Sequence, residues 1–488
     1  MDAALATAIT LTIVEPTGNG LGSDGFAILW DGRELHGMNA SGRSPAGWTP
    51  ERFAGLDQMP ERGWDSVTVP GAVGGWVALS KRFGRLPFAD LFEPAIRYAE
   101  DGFPVSPVIA TLWGNGAKML KTQPGYADHF MPNGRAPVAG EWFYNPNGAA
   151  SLRLIAQTEG KAFYEGELAE KIAADAARHG AAITVDDLAA NAPDWCGTVQ
   201  AAFDDMELHE IPPNGQGIAA CMALGMLRHT EIRDLAPEDP KALHLMWEAM
   251  KLAFRDTDAY VADPIGMTGV SAEDLLNADY LEQRAKLIDR SRAQDFASGA
   301  PKLGGTVYLC TADSDGMMVS YIQSNYAGFG SGVVVPGTGI HLQNRGFGFN
   351  LTPGHPNQVA PNRRPFHTII PGFLTKGGVP EMAFGVMGGP MQAQGHLQMV
   401  LRTQIWGQDV QTAADGPRWR VTEGLGVACE TAMPNAALQE LSDMGHQIAL
   451  ESPDAAFGFG GAQLIHKLPG GGYAGGSDPR KDGCAAGF

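Results

Sequence analysis

The spacing of apolar positions changes along the chain, and each change marks an element. Residues 1–14 are alanine-rich and apolar almost all round, which predicts a buried helix. A glycine-rich turn, Gly18 to Gly25, separates it from a strand-like run, Phe26 to Trp30. Helical spacing returns from Val67 through Phe83 and again over Pro87 to Glu100, with proline in the first turn. From about 105 to 300 the pattern is mainly helical: Ala149–Thr158, Gly166–His179, Ile183–Ala190, Ile218–Met226 and the strongly amphipathic Leu243–Tyr260. Residues 285–302, rich in Arg, Ser, Gly and Pro, have linker composition.

Period two takes over after the linker. Two β-branched apolar runs, Val307–Ala312 and Met317–Ile322, flank Asp313-Ser314-Asp315-Gly316, which predicts a hairpin with its turn at Asp313 to Gly316. A further strand, Met382–Met387, leads through Gly388-Gly389 into a helix that continues to Trp406. A glycine pair at such a junction presents backbone N–H groups with a helix dipole behind them, which suits an oxyanion as well as a plain tight turn.

The first strand of the hairpin opens on Gly304-Gly305-Thr306. A hydroxyl is a poor nucleophile until a base sits beside it, and an N-terminal threonine carries its own base, the α-amine. That amine exists only if the Gly305–Thr306 bond is cut, and Thr306 Oγ1 could cut it by attacking the Gly305 carbonyl. A flexible linker just upstream suits such a site. Without more context, most such triplets are loop-to-strand junctions.

Composition narrows the classes. A chain of 488 residues with 44% apolar and 18% charged residues suits a large globular enzyme. Its net charge of −19 argues against a nucleic-acid surface. Five scattered cysteines without a Cys-x-x-Cys pair argue against a disulfide framework or a structural zinc site. The 12 histidines show no His-Glu-x-x-His, so neither metal nor organic cofactor is expected. The apolar run Ala3–Val14 is too short to span a membrane and lacks a positive flank, so no membrane partner is expected and a cytoplasmic location is, unless a leader precedes Met1.

Gly20, Gly22 and Gly25 form a literal Gly-x-Gly-x-x-Gly, but the order is helix, glycines, strand. A dinucleotide site needs strand, glycines, helix, so that the pyrophosphate meets a helix N-terminus. Arg43, in Asn39-Ala40-Ser41-Gly42-Arg43-Ser44-Pro45, reads either as a solvated loop charge or as a fork for a carboxylate.

The segment 304–339, with Gly328-Phe329-Gly330-Ser331-Gly332-Val333-Val334-Val335-Pro336-Gly337-Thr338-Gly339, resembles the start of the small subunit in the γ-glutamyltransferase family of N-terminal-nucleophile hydrolases. The resemblance extends over nearly the whole chain, most strongly over 1–45, 67–105 and 304–400. It implies an α+β, four-layer αββα sandwich made from a large segment, 1–305, and a small segment, 306–488, interleaved in one body after cleavage between Gly305 and Thr306. It also implies Thr306 as nucleophile, Gly388 and Gly389 as oxyanion donors, Ser324 as hydrogen-bond partner of Thr306, and Arg43 as the carboxylate clamp. Asn344, His367 and Thr368 fall at substrate-binding positions.

The departures cluster at the substrate pocket. Val307 replaces a second threonine, His367 and Thr368 replace paired serines, and Gly348 stands where glutamyl-specific members carry the acid that binds the substrate ammonium. An unpartnered buried charge is costly. The expected activity is therefore an autoprocessing threonine amidohydrolase or acyltransferase on γ-glutamyl or related carboxylate-bearing amides. Amidases of the oxamate or glutaryl (cephalosporin) type, without γ-glutamyl specificity, are the alternative, and an unprocessed binding protein the second. The implied partners are a small amide and a water or amine acceptor, with room for a homo-oligomer of processed heterodimers.

Overall fold

The computed structural model describes residues 1–296, 305–453 and 458–488. The last part of the expected linker, 297–302, lies outside them. Five helices matter for the site: α1 (Asp2–Val14), α2 (Ala72–Phe83), α3 (Gly217–Leu227), α4 (Pro240–Tyr260) and α5 (Met391–Val400). Eleven strands build two sheets: β1 (Asp24–Trp30), β2 (Leu35–Ala40), β3 (Asp194–Trp195), β4 (Val199–Phe203), β5 (Met206–Glu210), β6 (Gly305–Ala312), β7 (Met318–Tyr326), β8 (Gly372–Lys376), β9 (Val379–Met387), β10 (Gly461–Lys467) and β11 (Tyr473–Ser477).

The first sheet runs β3-β2-β1-β7-β6 and the second β11-β10-β9-β8-β5-β4. They face each other through Phe26, Ile28, Tyr308, Ile322, Phe373 and Ala383. Helices α1 and α2 pack on the outer face of the first sheet, and α3, α4 and α5 on the second. The result is the expected four-layer αββα sandwich. Each sheet buries both faces, so strands such as β7 are buried at every position rather than alternating.

The hairpin forms where the residues predict it. β6 and β7 pair antiparallel, and Asp313 and Met317 close the turn through an N–H to carbonyl bond of 3.0 Å. The α1-to-β1 glycine turn is also observed, and its glycines are needed for packing: a Cβ on Gly20 would lie 2.1 Å from the His341 ring. The predicted helix from Val67 starts later, at Ala72.

The stretch 105–300 is mainly helical, as expected, but β4 and β5 also form inside it and extend the second sheet through the pairing of β5 with β8. Among the described residues, no helix is long and apolar enough to cross a membrane.

Candidate active site

Thr306 sits one residue inside β6, at a shift in register between Gly305 and Val307 against β7. Such a bulge re-aims a side chain. The hydroxyl of Thr306, 2% exposed, donates to Ser324 Oγ on β7 over 3.1 Å. Ser324 Oγ in turn donates to the carbonyl oxygen of Gly305 over 2.8 Å. One serine thus touches both the Thr306 hydroxyl and the carbonyl oxygen of the peptide bond expected to break.

Ser324 Oγ is itself held by two N–H donors, Tyr326 N at 2.8 Å and Arg345 Nη2 at 2.7 Å. Tyr326 adopts φ +78°, a left-handed conformation that costs a non-glycine residue energy and is retained where the surroundings demand it. Its ring lies 4.7 Å from the Arg345 guanidinium. Arg345 also donates from Nη1 to Thr368 Oγ1 over 2.9 Å, while its Nε has no hydrogen-bond partner. Burial lowers the guanidinium to about 10, opposed mainly by the Asp24 carboxylate, so the group stays charged at neutral pH.

Asp24, at the start of β1 and opposite Ser324 in register, completes the charge set. Its Oδ1 accepts from Gly42 N and Gly71 N, and its Oδ2 lies 3.1 Å from His367 Nε2. Burial raises the carboxyl to about 6, against the pull of Arg345 and the two backbone donors. His367 is pushed well below its ordinary range by burial and by the Arg345 and Arg364 charges. It is therefore neutral at pH 7.

The glycine pair lies where β9 gives way to α5. Gly388 has φ +124° and Gly389 φ +62°, and among the described residues neither N–H donates a hydrogen bond. Gln216 Nε2, at the head of α3, donates to both Gly389 O and Thr368 O, tying this corner to the Arg345 loop.

Two expected residues have other engagements. Asn344 receives Ala327 N on its Oδ1 and donates to Glu61 O, which makes it a pin between loops. Arg43 is 37% exposed and donates to Asp263 Oδ2 over 3.0 Å and to Asn362 O over 3.2 Å. None of its hydrogen bonds runs to Thr306, Ser324 or Arg345. At Gly348, a Cβ would lie 2.6 Å from Phe366 O, so the backbone there has no room for an acidic side chain.

Arg345, Asp24 and Gln216 carry the site's charge and linkage, yet had no role in the sequence reading. Their partners lie far along the chain. The signal that was available is an arginine among glycines in Asn344-Arg345-Gly346, beside the missing acid. Elsewhere, folding gathers His244, Glu248 and His446 within 4.8 Å, a grouping no motif announces. Lys251 Nζ already meets Glu248 Oε1 at 2.8 Å, and His244 Nε2 meets Asp289 O, so the cluster reads as a buried polar brace.

The profile of the gamma-glutamyltranspeptidase family matches residues 1–488. The glutathione hydrolase-like YwrD proenzyme of Bacillus subtilis is 36% identical over 498 residues, spanning 100% of this chain and 94% of that one. The oxamate amidohydrolase proenzyme of Klebsiella pneumoniae is 34% identical over 503 residues, with the same shares of 100% and 94%. The crystal structure of cephalosporin acylase from Bacillus halodurans superposes with a TM-score of 0.95 at 46% identity, covering 100% of this chain and 91% of that one.

Proposed function

The chain belongs to the gamma-glutamyltranspeptidase family of N-terminal-nucleophile amidohydrolases, and from that premise we propose a threonine amidohydrolase for small amides whose short acyl part bears a carboxylate. Its precursor matures by cleavage between Gly305 and Thr306 into segments 1–305 and 306–488. The observation that carries the substrate class is Arg345, a buried cation one hydrogen bond from Ser324 and with an unspent Nε–H.

Arg345 Nη2 and Thr306 Oγ1 share Ser324 Oγ, at 2.7 and 3.1 Å. A carboxylate on the guanidinium therefore lies close to the hydroxyl, which favours an acyl group of few carbons, as in an oxo-acid amide. A guanidinium fork matches a carboxylate with two parallel bonds. The same charge repels a substrate ammonium, and Gly348 leaves that ammonium without a partner. Both features weigh against γ-glutamyl donors.

In the mature enzyme the α-amine of Thr306 takes the proton of its own Oγ1, directly or through water, as Oγ1 attacks the amide carbon. The N–H groups of Gly388 and Gly389 hold the oxyanion. The amine product leaves, and water resolves the acyl-enzyme; an amine acceptor in its place gives transfer. Thr368 and neutral His367 shape the Arg345 side of the pocket, with Asn344 behind them. Arg43, paired with Asp263, is an outer cation. Five free cysteines suit a reducing, cytoplasmic setting.

A second reading takes the longer glutaryl-type acyl group, supported by the likeness to a cephalosporin acylase. Turnover of oxamate, glutaryl-anilide and γ-glutamyl-anilide by the processed protein separates these readings. Preference for oxamate supports the first, preference for glutaryl-anilide the second, and preference for γ-glutamyl-anilide overturns both.

A further inference from the structure

Glu15 ends α1 and turns its carboxyl back toward the glycine turn. Its Oε2 accepts from Gly18 N over 3.0 Å and from Asn19 Nδ2 over 3.3 Å, and its Oε1 accepts from Thr17 Oγ1. A methyl carbon built on Gly18 would lie 2.8 Å from Glu15 Oε2 and 3.0 Å from Thr306 N. The carboxyl and the nitrogen of the Gly305–Thr306 peptide therefore flank a single glycine position. That position is fixed from the other side, since Gly18 O accepts from Asn325 N over 2.9 Å.

Cleavage by attack of Thr306 Oγ1 needs three things at one peptide: a nucleophile, a donor to the carbonyl oxygen, and a proton for the departing nitrogen. Thr306 supplies the first, and Ser324, backed by Arg345, the second. Among the described residues, the acid flanking Gly18 across from Thr306 N has no part in either.

Resting on the maturation proposed above, we propose that Glu15 is the proton donor to Thr306 N during self-cleavage, acting through one bridging water. Oγ1 bonds to the Gly305 carbonyl carbon and the C–N bond breaks. The nitrogen takes the Glu15 proton and becomes the α-amine, and the proton lost from Oγ1 returns through water to the Glu15 carboxylate. Water then hydrolyses the ester, leaving a carboxylate on Gly305 and the free hydroxyl of Thr306.

The environment holds Glu15 in the protonated form needed. Burial raises its carboxyl to about 7, against the hydrogen bonds of Thr17, Asn19 and Gly18 and the more distant Lys481 charge. His341, whose Nε2 meets Pro16 O and Asn19 O on the same turn, is pushed down to about 4 by burial and stays neutral. Cleavage is thus expected to slow as pH rises through about 7.

The test follows full-chain precursor made by cell-free translation, quenched at intervals between pH 6 and 8, with the 306–488 fragment resolved by electrophoresis. Glu15→Gln should slow its appearance by about 100-fold or more and flatten the pH dependence, while circular dichroism remains that of the wild type. Glu15→His, which restores a titratable donor, should recover cleavage with the falling limb displaced. Equal rates for wild type and Glu15→Gln at every pH, or a Glu15→His profile that does not move, overturn the assignment. Thr306→Ala is the control for the underlying reading: if it is cut like the wild type, self-cleavage itself is wrong. If it stays whole while Glu15→Gln is cut normally, only the role of Glu15 falls.

Discussion

Arg345 Nη2 donates to Ser324 Oγ across 2.7 Å, and Ser324 Oγ alone stands between this buried guanidinium and both the Thr306 hydroxyl and the Gly305 carbonyl. In the proposed maturation the cation strengthens Ser324 as a donor to the Gly305 oxygen, and in the proposed hydrolysis its charge meets a substrate carboxylate.

Arg345→Ala is expected to lower kcat/KM for an oxamate-type amide by about 100-fold or more while changing a neutral amide little. A charge-assisted bidentate pair contributes on the order of 3 kcal/mol or more. Arg345→Lys should rescue poorly, because an ammonium lacks the fork. The check is steady-state kinetics on processed material with both substrates; equal losses on the two would count against a carboxylate contact.

Ser324→Ala removes the donor to the Gly305 oxygen. Loss of one oxyanion donor typically costs about 10²- to 10³-fold in rate. The expected outcome is a folded precursor in which the 306–488 fragment appears that much more slowly, timed by electrophoresis after synthesis. Undiminished cleavage would remove Ser324 from the account.

Gly348→Asp, which supplies the acid expected of glutamyl-specific members, should not create γ-glutamyl turnover. The new Cβ would start 2.6 Å from Phe366 O, a backbone atom that must shift. Overpacking of this kind costs about 1–3 kcal/mol, read as a lowered melting temperature. Efficient γ-glutamyl-anilide hydrolysis by this variant would show that the loop is more adaptable than its packing implies.

Much of this was readable before folding, for a physical reason. The β6–β7 hairpin, α1 and the glycine turn are local: their apolar spacing and turn residues lie within a few positions of one another. The strands β4 and β5 were not readable, because each is five residues long within helical surroundings and the strand that joins their hairpin to the sheet, β8, pairs with β5 from some 160 positions away. Thr306, Ser324 and the glycine pair came from motif likeness. Arg345 was visible as a letter but not as a role, since Ser324, Thr368 and Asp24 reach it from three separate segments.

Asp24 gives a pH signature of stability. Its carboxyl titrates near 6 when folded against 3.8 as an ordinary aspartate. The folded state thus binds the proton more tightly, so this contribution is fully present below about pH 4 and is lost as pH rises through about 6. Denaturant titrations from pH 4 to 7 should show a falling component in the wild type that Asp24→Asn lacks. Identical slopes for the two would contradict a buried, raised carboxyl.

Intact-mass spectrometry of purified protein, with N-terminal sequencing of its fragments, bears most directly on the central claim. The expected result is two chains, residues 1–305 and 306–488, the second beginning at Thr306, with a single uncut chain and no amide turnover for Thr306→Ala. Amide hydrolysis by wild-type protein whose Gly305–Thr306 bond is whole would contradict it.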